Sequence, residues 1–348
     1  RNLQTVSHAA MGVAGLALAI VGGALTLTRI RAHQRARTAV ESIIKVFLIV
    51  CSSIAILTPI GIVLSVLFES LRFFQSVPVS EFLLGLEWSP QTAIRADQVG
   101  SSGAFGAVPL FAGTLLISCI AMVVAVPIGL MSAIYLSEYA GPHLRASAKP
   151  LLEILAGIPT VVYGFFALTF MTPVLRSLIG ENVVGFFNVA SAGIVVGILI
   201  IPLVSSLSED AIHAVPDSLR QAAYGLGASK LEVSTRIVLP AALSGIAAAF
   251  VVAMSRAVGE TMVVALASGA APRNFRLGDD SLFGYILNPF QSGEAMTGHI
   301  VRISSGDLSY NTIDYNSIFA IGLTLFFMTL GLNILSRRFV KRFREVYE

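Results

Sequence analysis

Apolar residues run along this chain in long blocks, broken by short polar or basic punctuation, with no sustained two-residue alternation. Seven blocks supply the roughly 20 mostly apolar residues that a helix needs to cross a ~30 Å hydrocarbon layer. They lie at about 9 to 29, 46 to 69, 110 to 136, 151 to 174, 187 to 207, 240 to 268 and 317 to 337. The pattern predicts an all-α polytopic membrane protein, because helices satisfy their own backbone where water is absent. Pro127 and Gly129 predict a tilt or kink in the third span, and Gly157, Pro159 and Gly164 a bend in the fourth. That bend could line a pathway, or its glycines could serve close helix packing. The first block is followed, not preceded, by its basic cluster of Arg29, Arg31, Arg35 and Arg37, so it reads as a retained span and not a signal peptide. The opening residue, Arg1, predicts a chain trimmed from a longer one.

Composition agrees: 55% of the 348 residues are hydrophobic and 12% charged, with a mean hydropathy of +0.81. One soluble core could not bury so much apolar surface. The net charge of +3 reflects basic residues gathered in particular loops, which argues against a nucleic-acid partner and sets topology. Lys and Arg concentrate at 29 to 45, at Arg145 and Lys149, at Arg220, Lys230 and Arg236, and at Arg337 to Arg344. These loops are predicted to be cytoplasmic, with the C-terminus inside and residue 1 outside. The alternate loops, about 70 to 109, 175 to 186 and 269 to 316, carry mixed or acidic charge and are predicted to lie outside. The last of them is long enough to be either an ordered cap or a flexible connector. Cys51 and Cys119 sit in apolar runs and predict free thiols. The five histidines are scattered, no GxxxxGK[ST] phosphate loop occurs, and no metal, cofactor or catalytic constellation is predicted.

Between the fifth and sixth spans lies DSLRQAAYGLGASKLEVSTRIVLP, residues 217 to 240, too polar to insert and too patterned for a disordered loop. It predicts two short packed helices. The first starts near Asp217 and presents the small side chains of Ala222 and Ala223. The second opens with Ser229 and Glu232, whose spacing is that of a capping box. Gly227 stands at the joint, where a positive φ is cheap, and Pro240 is expected to end the unit and begin the next span. A rigid knob under a helical bundle is what a transporter needs if a soluble motor moves it.

The run Gln221-Ala222-Ala223, Gly227, Ile237, Leu239-Pro240 is similar, in full spacing, to the EAA loop of binding-protein-dependent ABC importer permeases, with Gln221 replacing the leading acid. Further stretches resemble the permeases of the phosphate-specific importer: residues 113 to 140, 152 to 168, SRAVGETMVVALASG at 255 to 269, and 317 to 348. EWSP at 87 to 90, the long loop before the last span and the closing FREVYE resemble the C-like of its two permeases. The resemblance implies a type I importer permease core with about seven spans. Residues 1 to 45 would be an additional N-terminal helix and basic cytoplasmic linker, and 46 to 109 a span with a periplasmic loop. The core would occupy 110 to 348, with a cytoplasmic coupling loop at about 208 to 239 and a periplasmic loop at about 269 to 316. It also implies a multi-pass protein of the bacterial inner membrane that forms half of a phosphate pathway and has no ATPase site of its own. The implied partners are an A-like permease, two copies of a cytoplasmic ATP-binding subunit, a periplasmic phosphate-binding protein and membrane lipid.

Arg256 and Glu260 fall within the sixth apolar block, four residues apart and so predicted on one helical face. Charges at such a depth cost at least ~2.5 kcal/mol each, so they should face a cavity or the bundle interior. Two readings stand. Arg256 offers transient positive charge to a passing phosphate while Glu260 holds it, or the two form an ion pair that locks helix packing. The corresponding Arg and Glu of the resembled family are associated with transport. Lys149 and Glu153 are expected to pair at a helix end, and Glu138 to sit at an interface. An importer of the same architecture for another oxyanion or solute would share the coupling loop. An ion-coupled secondary transporter would instead show internal repeats and several buried acids, and the sequence displays no repeat and no buried acid besides Glu260.

Overall fold

The computed structural model describes residues 12, 15–17, 19–24, 36–90, 103–274, 288–306 and 312–343. The chain forms two units, 1–62 and 63–348. In the first, the described residues between 12 and 24 are helical and exposed. Most of the predicted first span lies outside the described residues, as do Asp279, Asp280 and Asp307, acidic residues of the 269 to 316 loop, and most of the closing FREVYE. Helix α1, Ala36–Ser76, begins in this unit. Its Ile43, Phe47 and Leu57 are 64–70% exposed, as hydrocarbon-facing positions should be.

Six helices among the described residues are long and apolar enough to cross a membrane: Val40–Ser76, Val108–Tyr139, Thr160–Ile179, Val189–His213, Lys230–Val258 and Ile313–Arg338. They overlap six of the seven predicted windows, and the fourth and sixth windows are displaced by about nine or ten residues. The fourth starts at Thr160 and not at 151. Helix α4, Pro142–Gly157, stops at Ile158–Pro159, because a proline disfavours the helical conformation in the residue before it. The sixth does not reach 268, and its early end shapes the site described below.

The second unit is built around α3, Val108–Ile134, packed on α7, Val189–His213. Small residues set their closeness. A Cβ on Gly129 would meet Val204 at 2.8 Å, and one on Gly193 or Gly197 would meet Ile120 or Val124 at 2.8 Å. Gly193 and Gly197 form a GxxxG pair of the kind that lets membrane helices touch through their backbones. Gly197→Leu is expected to cost at least ~1–3 kcal/mol through overpacking. It should lower the thermal unfolding midpoint of the detergent-purified chain.

The backbone groups freed at α7's start are all satisfied. The Asn188 side chain caps Ser191 N, and the N–H groups of Val189 and Ala190 donate to the carbonyls of Gln291 and Pro289 at 3.1 and 2.7 Å. Part of the 269 to 316 stretch is therefore built into the bundle and is no free connector. Its helix α12, Met296–Ser304, is buried at Met296, Thr297, His299 and Ile303.

Trp88 of EWSP pairs with Phe105 across a two-residue antiparallel ladder and is 1% exposed. Edge-to-face contacts join it to Phe82, Phe105 and His299, and Phe73 joins Phe74, Phe82 and Phe105. The motif is thus the centre of an aromatic core that holds the end of α1 against α13, Ile313–Phe343.

Candidate functional site

The segment after α7 folds as two helices, as its sequence predicts. Helix α8, Asp217–Gly225, starts at Asp217. Gly227 follows with φ +85°, its N–H bonded to Tyr224 O at 2.9 Å. Helix α9, Lys230–Val233, carries the reciprocal capping box of Ser229 and Glu232.

The unit does not end at Pro240. Helix α9 passes through a π-turn, Ser234–Val238, into α10, Leu239–Val258. Proline is tolerated at α10's first turn, where its missing N–H matters least. The knob is consequently rigidly continuous with a spanning helix.

Arg220 anchors it. The guanidinium donates to Ile212 O and Val215 O at 2.9 and 2.6 Å, to Asp217 Oδ1 at 3.1 Å, and to Glu138 Oε1 at 3.2 Å. Glu138, predicted as an interface residue, is here the 7%-exposed partner that ties the knob to the end of α3. Ala223, Val233 and Val238 are buried beneath, with Ile237 and Leu239 packed against them. Gln221, Ala222, Gly227 and Pro240 are exposed. Around them Leu226 is 90%, Leu231 64% and Tyr224 44% exposed, an apolar tip on a fixed base.

The second cluster lies where the sixth span breaks. α10 ends at Val258, and the helix resumes only as α11, Met262–Ala267. Glu260 falls in the gap, so Arg256 and Glu260 do not share one continuous helical face as expected. Their charges still meet, with Arg256 Nη1 3.0 Å from Glu260 Oε2. Among the described residues no donor is aligned for a hydrogen bond to that oxygen.

The break is supported from α12, whose Thr297 Oγ1 donates to Glu260 O at 2.7 Å, while Thr261 Oγ1 donates to Gly259 O at 3.1 Å. Gly164 of α5, Thr160–Phe166, packs onto Met262 and Leu266, which shows its role to be close approach. Discontinuous spanning helices with satisfied backbones are a recurrent way to place charges at a transport site.

Glu260 is 2% exposed and Arg256 46%. Arg256 reaches into a cavity of about 360 Å³ between α4, α5, α7 and α10, also lined by Lys149, Thr160, Ser206 and Glu209. Such a volume suits a small ligand.

The sequence reading missed two buried acids. Glu209, 2% exposed, accepts from Arg145 Nε and Nη2 at 3.0 and 2.6 Å and has Lys149 3.6 Å away. Lys149 therefore faces Glu209 and not Glu153. A Lys four residues before a Glu is the weaker helical order, and a buried carboxylate attracts any cation in reach. Glu294, 1% exposed, accepts from Arg302 Nε at 2.9 Å and lies 3.0 Å from His299 Nδ1. The spacing of His299 and Arg302, three apart on one face of an amphipathic helix, was the available signal. With three buried glutamates among the described residues, the paucity of buried acids no longer argues against a secondary transporter.

A polytopic bundle with a broken, charged span and a rigid apolar-tipped knob between two spans has the architecture of an importer permease. The chain belongs to the family of binding-protein-dependent transport system inner membrane components, which matches residues 125–345. It is a permease component of an ABC importer and a multi-pass inner-membrane protein.

Among similar proteins, the probable ABC transporter permease protein YqgH of Bacillus subtilis is 29% identical, with 85% of this chain and 89% of that protein aligned. Phosphate transport system permease protein PstC 1 of Mycobacterium tuberculosis is 32% identical over 75% of this chain and 81% of its own. PstC of Mesorhizobium japonicum is 30% identical over 75% and 78%. The fold is shared with a bacterial alginate ABC transporter solved in complex with an alginate pentasaccharide-bound periplasmic protein. The TM-score is 0.55 at 14% identity, covering 90% of this chain and 98% of that one.

Proposed function

We propose that this chain is the C-like permease of an ATP-driven inorganic phosphate importer, forming half of the pathway beside an A-like permease. A periplasmic phosphate-binding protein delivers the anion, and two copies of a cytoplasmic ATP-binding subunit hydrolyse ATP. The observation that carries this reading is Arg256, poised in a cavity beside the break of a spanning helix, with a buried carboxylate at its back. Relatives 30 and 32% identical that bear the name of phosphate transport permeases supply the cargo.

The chemistry follows from the geometry. An unpaired guanidinium in low dielectric would bind an oxyanion so firmly that release became slow. Glu260 offsets that charge, so Arg256 stabilises the anion in passing without trapping it. The knob made by Gln221, Ala222, Ala223, Gly227, Ile237, Leu239 and Pro240 fits a groove on the ATPase and transmits its movement along α10 to Arg256. In this reading the knob and the C-terminus lie in the cytoplasm, a side that the Lys and Arg distribution supports.

The test of cargo is phosphate uptake by cells lacking other phosphate importers but expressing this chain with its partners. Uptake of labelled phosphate undiminished by excess sulfate or molybdate supports the assignment. Competition by either, or growth restored only on another anion, assigns a different cargo to the same machine.

A further inference from the structure

Arg256 shares its cavity with a second cation that the proposed mechanism does not use. Lys149, on α4, lines the same space of about 360 Å³, as do the hydroxyl-bearing Thr160 and Ser206. Its side chain is 41% exposed, and its ammonium lies 3.6 Å from Glu209 Oε2, beyond hydrogen-bond length. Glu209 does not depend on it, because Arg145 already donates twice to the other carboxylate oxygen, at 3.0 and 2.6 Å. Arg145 is itself held 2.8 Å from His213 Nε2, and His213 Nδ1 lies 3.1 Å from Ser137 Oγ. Arg145 is thus fixed in a network and Lys149 is loosely tethered.

The lining of this cavity holds two cations and two carboxylates, Lys149 and Arg256 with Glu153 and Glu209, while Arg145 pairs with Glu209 and Glu260 with Arg256. An arriving anion must take a cation from one of the acids. Lys149 is the one whose departure leaves its acid still doubly hydrogen-bonded, so its release costs least.

We propose that Lys149 is a second oxyanion-binding station in this cavity, receiving the anion from Arg256 by exchanging Glu209 Oε2 for an oxygen of the anion. Lysine suits a transient hold. Its ammonium is a compact, strongly hydrated point charge on a flexible stem, whereas the arginine fork at 256 orients the anion on arrival. When the anion leaves, Glu209 recaptures Lys149 and resets the station. The inference rests on the reading that this chain passes an oxyanion.

The test uses the reconstituted importer in proteoliposomes, with binding protein outside and ATP within, and phosphate as the probe. Lys149→Gln is expected to lower the maximal uptake rate about 10-fold, while complex yield and binding-protein-stimulated ATP hydrolysis persist. Lys149→Arg should recover much of the loss. A charge-specific readout separates this from a structural role. In a Cys51→Ser, Cys119→Ser background, Lys149→Cys should regain uptake after modification with aminoethyl methanethiosulfonate, which restores a cation, and not with its neutral ethyl analogue. Uptake by Lys149→Gln within about 2-fold of the parent, or equal rescue by both reagents, overturns the proposal. A parent complex that moves sulfate and not phosphate would correct the cargo alone, and the same variants then decide Lys149 with sulfate. A parent that moves no anion removes both readings.

Discussion

Replacing Arg256 by Gln is expected to reduce ATP-driven phosphate uptake by at least ~100-fold, equivalent to about 2.7 kcal/mol of lost stabilisation along the anion's path. Assembly should be unaffected, because the residue is half-exposed to a cavity and no hydrogen bond aligns it with Glu260. Arg256→Lys should recover only part of the rate, since it keeps the charge and loses the planar fork. Glu260→Gln is the informative companion: with the counter-charge gone, Arg256 holds the anion longer, and uptake should fall even where anion occupancy rises. Loss of the protein itself in Arg256→Gln would instead identify the pair as a packing lock. The measurements are initial uptake rates and the yield of intact complex.

Gly227→Pro should uncouple the motor from the bundle. The native φ of +85° is unreachable for proline, whose ring fixes φ near about −65°. The substitution also deletes the N–H that binds Tyr224 O. Leu226, the most exposed apolar residue of the tip, would shift with it. Both uptake and binding-protein-stimulated ATP hydrolysis are expected to fall at least ~30-fold, about 2 kcal/mol, while α10 stays packed through Ala242, Ile246 and Ala249. Gly227→Ala sets the milder limit, a strain of roughly 1–2 kcal/mol for a side chain in the left-handed region. Retained stimulation in the proline variant would mean that the ATPase grips another surface.

Much of this was legible in the sequence because the governing physics is local. The start of α8 at Asp217, the capping box of Ser229 and Glu232, and the positive φ of Gly227 each depend on residues within one or two turns. Spans are legible for the same reason, since hydrocarbon thickness translates directly into residue counts. The break between Val258 and Met262 was not, because Gly259-Glu260-Thr261 sits inside an apolar run and is held open by Thr297, a residue of another helix. The burial of Glu209 and Glu294 was hidden similarly. Near or within polar loops an acid reads as solvated, and only tertiary packing brings Arg145 or Arg302 to it. Lys149 was assigned to Glu153 by sequence proximity, where geometry gives it to Glu209.

Arg256 lies near the C-terminal end of α10 and the Gly227 knob precedes its start, so in the proposed mechanism that helix is the coupling rod. The central claim is that ATP hydrolysis by a docked partner moves phosphate past Arg256. It is tested most directly in proteoliposomes holding the chain with its permease partner, ATPase and binding protein. Labelled phosphate uptake is measured with and without internal ATP, and with proton and sodium gradients imposed or collapsed. Uptake that requires ATP and binding protein and ignores both gradients is the predicted result. Uptake that follows a gradient in the absence of ATP would contradict it.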